Sequence, residues 1–174
     1  MTAPHVIPFL PGYIPPDVDM NQINADVADD GVAVPPSAAA DVPGLREVVE
    51  QAGQQGIDLK IVVVANNPPI DTPLRDIATE VGQAHPGSTV LVLSPSESGT
   101  YSPTIDRVTL EAGQDVAEGR GAVQGAKNFL SEVTTDHFPW TTFTILLVLG
   151  VVAAVIATRM LQVRSKRVLV RDER

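Results

Sequence analysis

Two short stretches hold most of the side chains that could do chemistry. They are Asn66-Asn67-Pro68-Pro69-Ile70-Asp71 and Ser94-Pro95-Ser96-Glu97-Ser98-Gly99-Thr100-Tyr101. Each follows a run of aliphatic, β-branched residues. If those runs are adjacent parallel strands, both stretches open on one sheet edge, where α/β sheets hold ligands. Asn66, Asn67, Asp71, Ser94, Ser96 and Glu97 would then converge. Hard oxygen donors of this kind suit Ca2+ or Mg2+. The plainer reading is turn chemistry, with Asn-Pro and Ser-Pro opening turns and Asp71 supporting a helix start.

Other constellations are thin. His5, His85 and His137 are scattered, share no metal-ligand spacing and form no HExxH motif. The serines lack a GxSxG elbow. Gly119, Gly121 and Gly125 spell GxGxxxG, which is not the dinucleotide pattern. Asp29 and Asp30 are adjacent acids that can hold a cation, although a solvated helix end accounts for them. The chain has no Cys. That excludes disulfides, iron–sulfur ligands, a thiol nucleophile and a lipid-modified N-terminal cysteine. With 174 residues and a net charge of −9, it lacks the basic surface that nucleic acid requires.

The elements that would position the two stretches can be read from periodicity. Residues 1–16 hold Pro4, Pro8, Pro11, Pro15 and Pro16, which exclude regular helix and central strand. This is an extended arm or a disordered one. Residues 17–30 form a short helix with Met20, Ile23 and Val27 on one face, ended by Gly31. Residues 32–41 are a short strand or a linker. Leu45, Val48, Val49 and Ala52 mark a helix, stopped by Gly53 and Gly56. Residues 57–65 read as a strand buried on both faces. Thr72 caps the next helix with Pro73 in its first turn, and Leu74, Ile77, Ala78 and Val81 form its stripe. His85-Pro86-Gly87 ends it, and TVLVL (89–93) is a second buried strand. A loop at 94–103 precedes an expected edge strand at 105–112. Gly119 and Gly121 open a last helix, with Val123, Ala126, Leu130 and Val133 on one face. The expected fold is a small α/β sandwich over 17–133, its short, mainly parallel sheet joined by right-handed crossovers.

Beyond a linker at 134–137, residues 138–158 carry no charge. A bilayer core of about 30 Å needs about 20 helical residues, so this is a transmembrane helix. Phe138 and Trp140 suit the interface at its start. The tail 159–174 holds Arg159, Arg164, Lys166, Arg167, Arg171 and Arg174 against Asp172 and Glu173, a net +4. The first 137 residues hold six basic and nineteen acidic residues, a net −13. Basic flanks stay in the cytoplasm. The expectation is a cytoplasmic tail and an extracytoplasmic domain, held close to the plasma membrane by the short linker. The start lacks a basic n-region and a long apolar h-region, so a tail-anchored cytoplasmic scaffold is the alternative. The basic tail also attracts anionic headgroups. Gly150, Ala153, Ala154 and Ala157 place small residues on part of the span, which allows close helix approach.

The segments IDLKIVVVANNPPIDTPLRDIATEVG, STVLVLSPSESGTYS, RVTLEAGQD and FPWTTFTILLVLGVVAAVIATR together resemble a family of small single-pass membrane proteins of actinobacteria, of unknown function. The likeness covers nearly all of the chain beyond residue 15. More distantly, the order of elements resembles the TPM domain, an extracytoplasmic α/β fold. Its relatives include a thylakoid-lumen phosphatase, a photosystem-repair factor and a receptor accessory protein. That resemblance implies divalent-cation binding through acidic loops, and it points to Asp71 and Asp76 as metal ligands. Asn66 and Asn67 stand where carboxylates would serve a metal better. The resulting expectation is a non-enzymatic accessory protein of the cell envelope, its partners the lipid bilayer and a membrane or envelope protein. The alternative is a TPM-like metal-dependent phosphohydrolase.

Overall fold

The structure is a computed structural model that describes residues 13–70, 72–135 and 140–172. The chain divides into two compact units, residues 1–135 and 136–174.

The first unit is built on a four-stranded sheet in the order β1 (Val32–Ala33), β2 (Leu59–Val63), β3 (Thr89–Leu93) and β4 (Ser98–Tyr101). The first three strands are parallel, and β4 returns antiparallel to β3. Side chains alternate across a strand, so the register Ile61↔Leu91 and Val62↔Val92 separates two cores. On one face Leu59, Ile61, Leu91 and Leu93 pack with α2 (Val42–Gln54), α4 (Arg107–Ala117) and α5 (Ala122–Val133). On the other, Val62, Val90 and Val92 pack with α1 (Met20–Asp30) and α3 (Thr72–Ala84). A helical layer on each side explains why TVLVL is buried throughout and apolar from Val90 to Leu93, with the Thr89 hydroxyl bonded to that of Ser102 at 2.8 Å. The expected α/β sandwich with a short, mainly parallel sheet is therefore present.

The helices form where local chemistry supports them. Asp19 caps α1, its carboxylate accepting from the amides of Asn21 and Gln22 at 3.0 and 3.3 Å. Gly31 ends that helix in the left-handed region, at φ 82°. Asp30 pairs with Arg46 and accepts from the Val32 amide, so its carboxylate ties α1 and α2 to β1. A 3-10 turn, Pro36–Asp41, leads from β1 into α2.

Three expectations need correction. Residues 105–112 are not an edge strand. Asp106 caps α4 through the Thr109 hydroxyl and amide at 2.8 and 3.1 Å, and Leu110, Gly113 and Ala117 are buried at helical spacing. The Thr109 hydroxyl, then its amide, hold the Asp106 carboxyl below its ordinary range. The β-branched pair Val108 and Thr109 mimics a strand, yet Val108 is 76% exposed. Second, the edge strand lies within the expected loop, as β4. Its Ser98 and Thr100 face α4, bonding Glu118 at 3.0 Å and Gln114 at 2.7 Å. Third, the crossovers cannot both be right-handed. β1, β2 and β3 step across the sheet in one direction. α2 joins the first pair on one face and α3 joins the second on the other. Crossovers that step the same way on opposite faces have opposite hands, so one departs from the usual rule.

The second unit is one helix, α6 (Trp140–Asp172). Residues Phe143–Gln162 have a mean hydropathy of 2.3 and none of that stretch is buried in the structure. Its length and composition suit a bilayer span. The Thr158 hydroxyl donates to the Ala154 carbonyl at 2.8 Å, which satisfies it inside the helix. The helix runs on through the basic tail rather than stopping at 158. Phe138 lies outside the described residues.

β4 crosses α3 too closely for a side chain at Gly99. A Cβ there would lie 2.6 Å from the Arg75 amide nitrogen and within contact of the Leu74 carbonyl carbon. Backbone atoms of a packed helix cannot give way cheaply, so Gly99→Ala should destabilise by about 1–3 kcal/mol. Gly53, in the last turn of α2, has nothing within 4 Å of its Cβ position. Gly53→Ala should therefore stabilise by roughly 0.5–1 kcal/mol. Chemical denaturation of the two variants checks the opposite signs.

Candidate functional site

α2 and α3 leave β1 and β2 toward opposite faces. Their connections therefore diverge at the carboxyl ends of these strands, which is where open α/β sheets form a crevice. Such a crevice is present, with a volume of about 450 Å³. Binding sites for small ligands span about 300–1,000 Å³. Its floor is aliphatic, from Ile23, Val34, Val64, Leu74 and Ile77. Asp17, Asp19 and Asp26 supply the carboxylates, and Asn66 and Asn67 enter from the connection after β2. Three proline pairs, Pro15-Pro16, Pro35-Pro36 and Pro68-Pro69, form much of the wall. They come from three separate segments that the fold brings to one place.

Asp76 on α3 holds the approach to this crevice. Its carboxylate accepts from the Tyr13 amide at 2.9 Å, and Tyr13 itself lines the opening. This bond spans 63 residues of sequence and pins the chain where the proline-rich arm ends. Asp76 thus has a structural partner. Asp71 lies outside the described residues.

The two stretches expected to converge do meet, through Asn67. Its Oδ1 accepts from the Ser94 hydroxyl at 2.8 Å and the Ser96 amide at 3.0 Å. Its Nδ2 donates to the Ser96 hydroxyl at 2.8 Å. The Ser94 hydroxyl also lies 3.0 Å from the Glu97 carbonyl, so the two acceptors share its one proton, and it accepts from the Glu97 amide at 3.2 Å. These groups satisfy one another, forming a clasp between the connections after β2 and β3. Asn66 belongs to the crevice wall, whereas Ser94, Ser96 and Glu97 do not line it. Among the described residues, no three His, Asp or Glu side chains gather closely enough to hold a metal ion.

The remaining motifs have local explanations. Gly119 and Gly121 adopt positive φ between α4 and α5. Gly125 lets α5 approach the Ala117 carbonyl, which a Cβ would meet at 2.7 Å. The GxGxxxG pattern is thus helix packing. His85 ends α3, its carbonyl accepting from the Ser88 hydroxyl at 2.7 Å. His5 and His137 lie outside the described residues. Asp17, Asp19, Asp26 and Val34 were not legible as site residues. The available signal was the threefold recurrence of Pro-Pro, each pair beside a strand end or a helix start.

Asn67→Ala removes three hydrogen bonds from an exposed clasp. At about 0.5–1.5 kcal/mol each, discounted for solvent, the loss should total about 1–2 kcal/mol. Asn67→Asp keeps the Oδ1 acceptor and should lose less. Denaturation gives the two losses. Amide exchange should speed up at Ser96 and Glu97 in the Ala variant.

The family described as Membrane protein Rv1476 matches residues 13–173 of this chain. Over 164 residues the chain is 54% identical to Membrane protein Rv1476 of Mycobacterium tuberculosis (strain ATCC 25618 / H37Rv). That alignment covers 94% of this chain and 87% of the relative. No solved structure matches it. The matched region begins at Tyr13, the residue pinned by Asp76, and runs through the sheet, the crevice and α6. The actinobacterial membrane family inferred from the sequence segments is therefore the right one, and the chain belongs to the Rv1476 membrane protein family.

Proposed function

We propose that this membrane protein is a non-enzymatic binding protein of the cell envelope. α6 anchors it, and the α/β domain receives a protein partner in the crevice beyond β1 and β2. The observation that carries this reading is the crevice itself, at the sheet edge where such folds bind. Binding rather than turnover is supported by the clasp. Asn67, Ser94 and Ser96 commit their polar atoms to one another. None is positioned as a nucleophile beside a general base.

The test is affinity purification of the full-length chain from native membranes in mild detergent, compared with Val34→Trp. Val34 lines the crevice and also packs against the leucine and isoleucine core, so an indole there blocks the crevice, and an unchanged denaturation midpoint shows that the fold is kept. The wild type should retain a partner that the variant loses at least several-fold. Recovery of the protein alone, or equal recovery of partners by both, contradicts the reading.

We further propose that the domain is extracytoplasmic and the tail cytoplasmic. Six basic residues against two acidic ones follow position 158, and basic flanks are retained inside. Protease added to intact cells should then remove the domain. A protected domain reverses the orientation.

A further inference from the structure

We propose that the crevice selects a partner segment carrying a Lys or Arg among aliphatic residues. The proposal rests on the crevice being the binding site. It adds the chemistry of the occupant.

The described residues lining the crevice include Asp17, Asp19 and Asp26 and no Lys, Arg or His. The three do not gather at one point, but a cation entering the crevice passes carboxylates and no basic side chain.

The described lining is poor in backbone donors and has no basic ones. Anion sites at α/β sheet edges use exposed amides, helix N-termini and basic side chains. Here the three proline pairs place six residues without an N–H in the wall. The first turn of α1 borders the crevice, but the Asp19 carboxylate already takes the Asn21 and Gln22 amides. The Gln22 side-chain amide donates to Asp26 at 2.6 Å, and that of Asn67 donates to Ser96. Neutral donors remain in the Asn66 side-chain amide and the Tyr13 hydroxyl, but the charged groups of the lining are carboxylates, which suits a donor-rich cation and disfavours a phosphate or carboxylate ligand.

On the floor, Ile23, Val34, Val64 and Ile77 are aliphatic, and Lys and Arg bury long methylene stems while the charged end stays near water or an acid. A volume of about 450 Å³ accommodates one such side chain with its immediate neighbours. The crevice thus combines an apolar floor with an acceptor-lined rim, complementary to a basic side chain flanked by aliphatic ones.

The experiment uses full-length, isotope-labelled protein in nanodiscs of phosphatidylcholine, which has no net charge to concentrate a cationic probe. The probes are acetyl-Leu-Lys-Leu-amide and its Gln and Glu counterparts, followed by NMR shifts at Ile23, Val34 and Asn66. The Lys peptide should bind about tenfold tighter than the Gln peptide, and the Glu peptide weakest. Asp17→Asn with Asp26→Asn should abolish that preference. Equal binding of the three peptides overturns charge selection while leaving the crevice a binding site. So does a membrane partner that Val34→Trp loses and the double Asn variant keeps. Tighter binding of the Glu peptide, or no shift with any peptide, also overturns the proposal. Binding of the Lys peptide only after removal of residues 1–12 would assign the crevice to the chain's own arm and overturn it.

Discussion

Two five-residue strands, Leu59–Val63 and Thr89–Leu93, lie side by side in parallel register, and nearly everything else in the domain is placed by that pairing. Strand side chains have a period of two. A slip of one residue would therefore exchange Leu59, Ile61, Leu91 and Leu93 with Val62, Val90 and Val92. Both sets are buried under helices, so neither face tolerates the exchange well. The leucine and isoleucine face meets Phe129, Leu45 and Leu110, while the valine face meets Leu74, Ile77 and Val27.

With the register set, the crevice follows from topology. α2 and α3 leave neighbouring strands toward opposite faces, each burying its apolar stripe in a separate core. The chain therefore parts beyond the carboxyl ends of β1 and β2. The proline pairs line the gap. Proline has no amide N–H to leave unpaired there, and its fixed φ suits both the extended Pro35 and the 3-10 turn that Pro36 begins. The Asn67 clasp and the Asp76 bond to Tyr13 tie the rim segments to α3 and to the connection after β3. These polar residues stabilise the rim.

Much of the fold was legible because its signals are local. β2 and β3 are apolar on both faces, α3 begins at Thr72-Pro73, and the stripes of α2, α3 and α5 have helical spacing. α4 and β4 were misread for opposite reasons. In α4, Val108 and Thr109 carry β-propensity, but capping by Asp106 and burial at Leu110, Gly113 and Ala117 prevail. In β4, the sequence SGTY has loop composition, yet its edge is paired to β3 and its hydroxyls are satisfied by Glu118 and Gln114. The opposite hands of the crossovers needed knowledge of which face each helix covers, which periodicity does not carry. The site was half legible. Convergence of Asn67 with Ser94 and Ser96 follows from adjacent parallel strands. The contribution of Asp17, Asp19 and Val34 depends on α1 and β1 folding against the same edge, a long-range arrangement without a local mark.

The second unit supplies what the first lacks. Phe143 to Leu161 expose a nearly continuous set of large apolar side chains, which water would not tolerate and a bilayer accepts. The protein is therefore a membrane protein with one apolar helix and a compact domain. On the proposed reading, the domain works through the crevice at the β1–β2 edge. Hydrogen exchange of the full chain in native membranes, with and without its captured partner, tests that most directly. The account predicts slowed exchange confined to the segments around Asp17–Asp26, Val34 and Asn66–Ile70. Slowed exchange on the α4–α5 face, with the crevice segments unchanged, would contradict it.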